Sequence, residues 1–218
     1  MPVAVDAVTA ASTMHLDSGH HIFDNAFTIG SGANRALLML MAMPSNDLPI
    51  LTCTWGGVSL TQLAIASNGF DAVTYIYGLL NPASGANIID ATWTNNVACG
   101  ACAISFTGVE QSSLVAAFTG AQNNSGASGT LSTTVTSAVG DMVVATFGCP
   151  FVTLTPNNTV LANYLALSGF SGAQNRAAGA ASVVMSATQS GAQPWSESAI
   201  NVHAAATPPG ALMPQIWM

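Results

Sequence analysis

The stretch LTCTWGGVSLTQL, residues 51–63, indicates the architecture of this chain. Two short runs of strand-favouring residues flank the pair Gly56-Gly57. A two-residue loop of this kind joins antiparallel strands through a primed turn, because both central residues need a positive φ that glycine adopts without strain. Similar short strand patterns separated by turn residues fill the chain, and no useful length shows helical periodicity. The sequence therefore predicts an all-β fold: an antiparallel β-sandwich of about eight to ten strands with little helix.

The domain organisation is expected to be simple. A chain of 218 residues can bury a substantial core, and we expect a single β-sandwich domain over residues 1–206. An extended apolar C-terminal tail follows over residues 207–218, where prolines and a glycine precede an apolar hook. We expect this tail to contact a neighbouring subunit or a virion partner through Leu212, Met213, Ile216, Trp217 and Met218. Contact with its own domain is the alternative.

The charge composition excludes several classes of partner. Charged residues make up 5% of the chain, lysine does not occur, and the net charge is −7. Such a chain has no electrostatic attraction for phosphate, so nucleic-acid binding is not expected. The longest apolar run, residues 36–43, is far shorter than the ~20 residues of a spanning helix. The first residues also lack the features of a signal peptide. We therefore expect no membrane insertion, and a weakly solvated polar surface that associates readily with itself.

Two segments are apolar at successive positions, so that both faces of a strand would be apolar. They are ALLMLMAM, residues 36–43, and MVVATF, residues 142–147. A strand buried on one side only would alternate, so either another segment of the chain or another subunit covers the second face. A single sandwich buries one face of each strand, and the other would form a large exposed apolar patch. This reasoning predicts a homo-oligomer, with a trimer as the expected state.

The cysteines offer a candidate metal site, which we do not favour. Cys99 and Cys102 have the spacing of a metal knuckle, but a second such pair is missing. Positions three apart on a strand also point to opposite faces. We expect free, buried thiols, Cys53 and Cys102 in particular, and no metal or other cofactor. The alternative is that Cys53, Cys99, Cys102 and Cys149 form two disulfide bonds.

Histidine and aspartate residues near the N-terminus form a second candidate metal site. His20, His21 and Asp24 together offer two or three metal ligands, but the segment around them is interpreted as a solvated turn. His203 is interpreted as an ordinary surface or edge residue. No G-x-S-x-G motif occurs, and the nine acidic residues mostly stand singly in turns. The sequence therefore predicts no catalytic residues and no enzyme activity.

A short internal echo marks a candidate ligand-binding surface. The segments FTGAQN, residues 118–123, and FSGAQN, residues 170–175, are interpreted as loops at one end of the sandwich. Their candidate binding residues are Gln122, Asn123, Gln174 and Asn175. Coincidence in a chain rich in alanine, glycine and asparagine is the alternative.

Three tryptophans are open to two interpretations. Trp55, Trp93 and Trp195 would form a sugar-stacking platform if they were exposed, but a core position is the expected one.

Five segments in order carry a resemblance to a known module: GANRALLMLMAM, CTWGGVSLTQLA, YIYGLLNPASGANIIDATW, AISFTGVEQSS and TSAVGDMVVATF. Over roughly residues 5–205 the chain resembles a poorly characterised β-sandwich module of phage virion proteins and bacterial surface proteins. The matching motifs are turns and strand ends, and no catalytic motif is among them. The resemblance implies a jelly-roll-like or immunoglobulin-like sandwich in a structural or adhesive setting.

These observations together give two functional expectations. The first is a non-enzymatic structural protein of a phage virion, assembled in the host cytoplasm as a capsid decoration or cement protein or a tail- or fibre-associated protein. Its partners would be further copies of itself and other virion proteins. The alternative is a carbohydrate-binding or adhesin module of a bacterial cell surface, for which a host-surface glycan is the candidate partner.

Overall fold

A computed structural model describes residues 1–9, 12–15, 19–44, 52–69, 71–93, 99–127, 129–165 and 169–206. Strands account for 67% of the chain, and every strand pairing is antiparallel. The prediction of an all-β, antiparallel, sandwich-like fold is confirmed. The predicted tail, including its five hook residues, lies outside the described residues.

The described residues form eighteen strands and one short helix, more strands than the eight to ten expected. The first ten strands are β1 Ala4–Val8, β2 Ser12–His15, β3 Gly19–Ile29, β4 Ala36–Met43, β5 Thr52–Trp55, β6 Val58–Ser59, β7 Thr61–Ser67, β8 Val73–Leu80, β9 Gly85–Trp93 and β10 Cys99–Thr107. The second half comprises α1 Leu114–Ala117, β11 Phe118–Gly126, β12 Leu131–Val135, β13 Met142–Pro150, β14 Leu154–Pro156, β15 Thr159–Leu165, β16 Phe170–Ala178, β17 Val183–Gln189 and β18 Trp195–Val202.

Four sheets are stacked as layers. Sheet I has the order β3-β9-β5-β6, and sheet II the order β1-β10-β4-β8-β7, with β2 also paired to β10. Sheet III has the order β11-β18-β13-β16-β15, and sheet IV the order β12-β17-β14. One apolar core lies between sheets I and II, a second between II and III, and a third between III and IV. Residues 1–206 therefore contain two sandwiches packed face to face, where a single sandwich was expected.

Each half of the chain has the same connectivity. In the first half the outermost strands pair, β1 with β10, and successively inner pairs follow: β3 with β9, β4 with β8, and β5 with β6. This nested pairing is that of a jelly roll. The second half repeats it with β11–β18, β12–β17 and β13–β16. Of the two expected topologies, the jelly-roll-like one is therefore observed, twice.

The repetition extends to local detail. β7 begins Thr61-Gln62-Leu63-Ala64, and its counterpart β15 begins Thr159-Val160-Leu161-Ala162. Both strands have a register shift across the same leucine. Such an extra residue bends an edge strand at a defined point. The shared motif and irregularity indicate an internal duplication, which is distinct from the FTGAQN echo because β11 and β16 are not counterparts.

The two doubly apolar strands are covered on both faces by this chain. In β4, Met39 and Met41 face the core toward sheet I, whereas Leu38 and Leu40 face the core toward sheet III. The same alternation places the two faces of β13 in the second and third cores. The intrachain alternative is thus confirmed, and the argument from these strands to a homo-oligomer is wrong, because a second jelly roll of the same chain supplies the missing layer.

Local expectations have mixed outcomes. The Gly56-Gly57 hairpin is confirmed: β5 pairs with β6, and the two glycines have φ values of 56° and 79°. The region around His20, His21 and Asp24, interpreted as a turn, instead lies in the strand β3, whose register with β9 shifts on either side of Asp24. Asp24 is half-buried in this strand, and β3 belongs to an outer layer, where a strand can carry polar residues on the face toward solvent.

Candidate functional site

The four candidate ligand-binding residues lie in strands, so their interpretation as loop residues is wrong. Gln122 and Asn123 are exposed residues of β11, whereas Gln174 and Asn175 are completely buried in β16. Sequence periodicity fails in β16 because other layers cover both of its faces, and in β11 because this edge strand is exposed along most of its length. Polar side chains can occupy such positions when internal hydrogen bonds satisfy them.

Those hydrogen bonds join the jelly rolls. Asn123, Ser198, Thr146 and Gln174 form one row across four strands of sheet III. The Ser198 hydroxyl lies 3.0 Å from that of Thr74 in sheet II, and Thr146 donates to the Met41 carbonyl oxygen at 3.3 Å. This polar row therefore connects sheet III to sheet II.

The remaining members of the echo also make internal contacts. Gln174 donates through Nε2 to Thr146 Oγ1 at 3.2 Å, and Asn175 donates through Nδ2 to the Ser186 carbonyl oxygen at 3.2 Å. Gln174 faces sheet II and Asn175 faces sheet IV, because neighbouring residues of a strand point to opposite faces. Asn175 thus joins sheet III to sheet IV, whereas Gln174 bonds within sheet III and supports the Thr146 hydroxyl that reaches sheet II. Both side chains are completely buried and therefore offer no surface to a ligand.

A relay of three side chains at one end of sheet III was not expected from the sequence. His203 Nδ1 lies 3.0 Å from Asp141 Oδ2, and His203 Nε2 lies 2.6 Å from Thr119 Oγ1. His203 is thus part of a network and not an isolated edge residue. The three residues are far apart in sequence, so only the strand pairing brings them together.

The relay has the residue types of a nucleophile, a base and an orienting carboxylate, but its surroundings indicate a structural role. Asp141 also accepts hydrogen bonds from Asn201 Nδ2 at 2.9 Å and from the backbone amides of Ala138 and Ala204 at 3.2 and 2.8 Å. These contacts fasten the ends of β13 and β18 to the adjoining turn. We interpret the relay as a clamp at this end of the sheet.

An apolar cavity of about 520 Å³ lies beside the clamp, and we call it the groove. It runs between β7 and β11, which are edge strands of sheets II and III, and helix α1. Its lining includes Leu63, Leu114, Val115, Phe118, Gly120 and Ile200, and none of the described residues around it is charged. Phe118 and Ile200 are buried, whereas Val115 is 80% exposed. The Thr119 hydroxyl is bonded to His203 and is next in sequence to Phe118, so the two side chains point to opposite faces of β11. The groove can therefore bind an apolar group, and the hydroxyl of Thr119, a residue that also lines it, is engaged by His203.

One acidic residue lies inside the second jelly roll. Glu197 in β18 is completely buried, and within the described part of the protein neither carboxyl oxygen has a hydrogen-bond partner. It shares a face of β18 with Trp195 and Ala199, which belong to the third core. Burial raises the pKa of Glu197 to about 8, so the side chain carries a proton at neutral pH.

The cysteines are free and buried, as predicted for Cys53 and Cys102. Burial raises the pKa of both Cys102 and Cys149 to about 12, so their thiols stay protonated at neutral pH. Cys99 and Cys102 lie on one strand at positions that point to opposite faces. In the described residues, no group of three His, Cys, Asp or Glu side chains is placed to hold a metal ion.

Three tryptophans occupy core positions, as expected. Trp55, Trp93 and Trp195 are 3%, 2% and 5% exposed. Their rings are therefore unavailable for stacking on a sugar at the surface.

Comparisons with known proteins return no match. No protein-family model matches the chain, and neither a curated protein nor a solved structure matches it significantly. Within the described residues, no helix has the length and apolar character needed to cross a bilayer.

Proposed function

We propose that this protein is a non-enzymatic structural component of a phage virion, either a capsid decoration or cement protein or a tail- or fibre-associated protein. The observation that carries the proposal is the fusion of two jelly rolls into one four-layer body. Jelly rolls recur in capsid and lectin domains. Here an apolar core and the polar row join the two units, so that they form one continuous body.

The outer faces of this block suit close packing against neighbours. Sheet I exposes or half-exposes Thr52, Thr54 and Thr92, and sheet IV does so with Ser132, Thr134 and Thr188. Hydroxyl-rich faces with few charges can approach another protein without a large cost of desolvating ions. They support self-association and contacts with other virion proteins, and a trimer remains the proposed oligomer.

An exposed aromatic residue offers a specific contact point. Phe151, directly after β13, is 74% exposed and has a φ of 60°. A bulky residue in the left-handed region carries a backbone cost, and such residues concentrate at functional sites. Aromatic side chains are also frequent anchors of interfaces. We therefore assign Phe151 to a contact with a neighbouring protein.

The test is the composition of purified particles. Virions of the phage that encodes the chain should retain it through a density gradient, at a constant ratio to the main capsid protein. Phe151→Ser and a deletion of residues 207–218 should each lower that ratio, whereas Val139→Asp, at an exposed position in the turn before β13 and outside the two outer faces, should not. Recovery of the wild-type chain only in the unassembled fraction would contradict a virion role.

A further inference from the structure

We propose that the groove binds the segment formed by residues 207–218 of the same chain. This inference concerns the isolated protein and goes beyond the proposed virion role. The groove is an apolar surface at two sheet edges, and residues 207–218 are the uncharged segment that follows the last described residue.

The described chain passes the groove wall shortly before it ends. Its last residues then pair with Gly108 and Val109 and line a separate cavity beside the N-terminus. His203 donates its backbone amide to the Ala117 carbonyl oxygen at 2.8 Å, and Ala117 is the last residue of α1, the helix that supplies Leu114 and Val115 to the groove wall. Ala206 is three residues further on, within about 10 Å of that point by the reach of an extended chain. The next twelve residues can span up to ~40 Å, so the whole groove is within their reach.

The chemistry of the segment matches that of the groove. Residues 207–218 contain no charged side chain and include Leu212, Met213, Ile216, Trp217 and Met218. The described residues that line the groove are also uncharged, and Val115 leaves an apolar side chain largely open to solvent. Burying such surfaces against each other is favourable in proportion to the area removed from water.

The groove also offers backbone partners. β7 and β11 are edge strands, and each has a register shift within the groove, at Leu63 and at Gly120–Ala121. These shifts interrupt the regular edge and leave room for an extended segment that pairs with part of it. Pro208, Pro209 and Pro214 cannot donate such bonds, so apolar contacts must supply most of the binding.

The tether decides which copy supplies the segment. A short linker gives a bound segment an effective concentration in the millimolar range, above the concentration of other copies in a dilute solution. The groove of an isolated molecule is therefore occupied by its own segment. In a closely packed assembly the same contact can be exchanged between copies, as in domain swapping.

The experiment uses the full chain labelled with 5-fluorotryptophan. The ¹⁹F resonance of Trp217 is identified by its loss in Trp217→Phe, and its solvent-isotope shift between H₂O and D₂O reports exposure of the indole. In the wild type the shift should be small and unchanged on extensive dilution. In Val115→Asp it should rise to the value of a free indole, because a carboxylate at the groove wall opposes burial of apolar groups. Val184→Asp should behave as the wild type.

Three results would overturn the proposal. They are an exposed Trp217 in the wild type, a Trp217 that stays protected in Val115→Asp, and protection that disappears on dilution, which would assign the groove to the segment of another copy. Circular dichroism of each variant verifies that the sandwiches are folded. Because particle retention is measured separately, a chain missing from virions with a protected Trp217 would refute the virion role alone.

Discussion

Replacing Glu197 by glutamine should remove a large pH dependence of stability. The wild-type carboxyl is buried without a hydrogen-bond partner among the described residues, and burial raises its pKa from 4.5 to about 8. The folded state therefore holds a proton that the unfolded state releases between these values. Stability from this group is fully present below pH 4.5 and is lost as the pH rises to about 8. At ~1.4 kcal/mol per pH unit, the loss across this window amounts to ~5 kcal/mol.

The assay is equilibrium urea unfolding of wild type and Glu197→Gln at a series of pH values. Other titrating groups cancel in the difference, so the free energy of unfolding of the variant relative to wild type should rise steadily between pH 5 and 8 and then level off. Glu110→Gln is the matched control: backbone amides of Ser112 and Gln111 hold the pKa of Glu110 below its usual value. That variant should lose stability relative to wild type as the pH rises. A difference between wild type and Glu197→Gln that does not change with pH would refute the reasoning.

Three further predictions concern the packing of the layers. In the native protein at pH 8 the four cysteines should not react with Ellman's reagent, because their thiols are buried and the pKa of Cys102 and of Cys149 is raised to about 12. All four should react after unfolding, and rapid labelling of a native thiol would contradict this. Gly100→Ala should destabilise the protein by about 1–3 kcal/mol in thermal unfolding, since its new methyl would lie 1.8 Å from Tyr164 Cζ. In a Tyr164→Ala background the same substitution should cost less, and additive losses in the double variant would count against a clash. Thr146→Val should lower the free energy of unfolding in urea by about 1–3 kcal/mol, because the hydroxyl bridges Gln174 and the Met41 carbonyl oxygen. An unchanged urea midpoint would show that the polar row adds no stability.

Local chemistry determined the parts of this protein that depend on a few neighbouring residues. Gly56-Gly57 specified a hairpin because only glycine adopts two successive positive φ values without cost, and the core positions of Trp55, Trp93 and Trp195 followed from their size and apolar character. The apolar pattern of Ala36–Met43 likewise showed that both faces of this strand are covered. It could not show what covers them, because a second jelly roll of the chain and a second subunit present the same apolar surface to a strand.

Tertiary structure alone decided the rest. β16 is buried on both faces, which removes the alternation of period two, and its two amide groups donate to partners distant in sequence. β11 is an edge strand with polar residues exposed along most of its length, so it too had the composition of a loop. The clamp of Thr119, Asp141 and His203 depends on the pairing of β11 and β13 with β18, and the groove depends on two sheet edges meeting beside α1. The duplication could not be recognised from the sequence for a related reason. A jelly roll constrains which positions face inward and where a strand bends, and different residues can meet those constraints in each half.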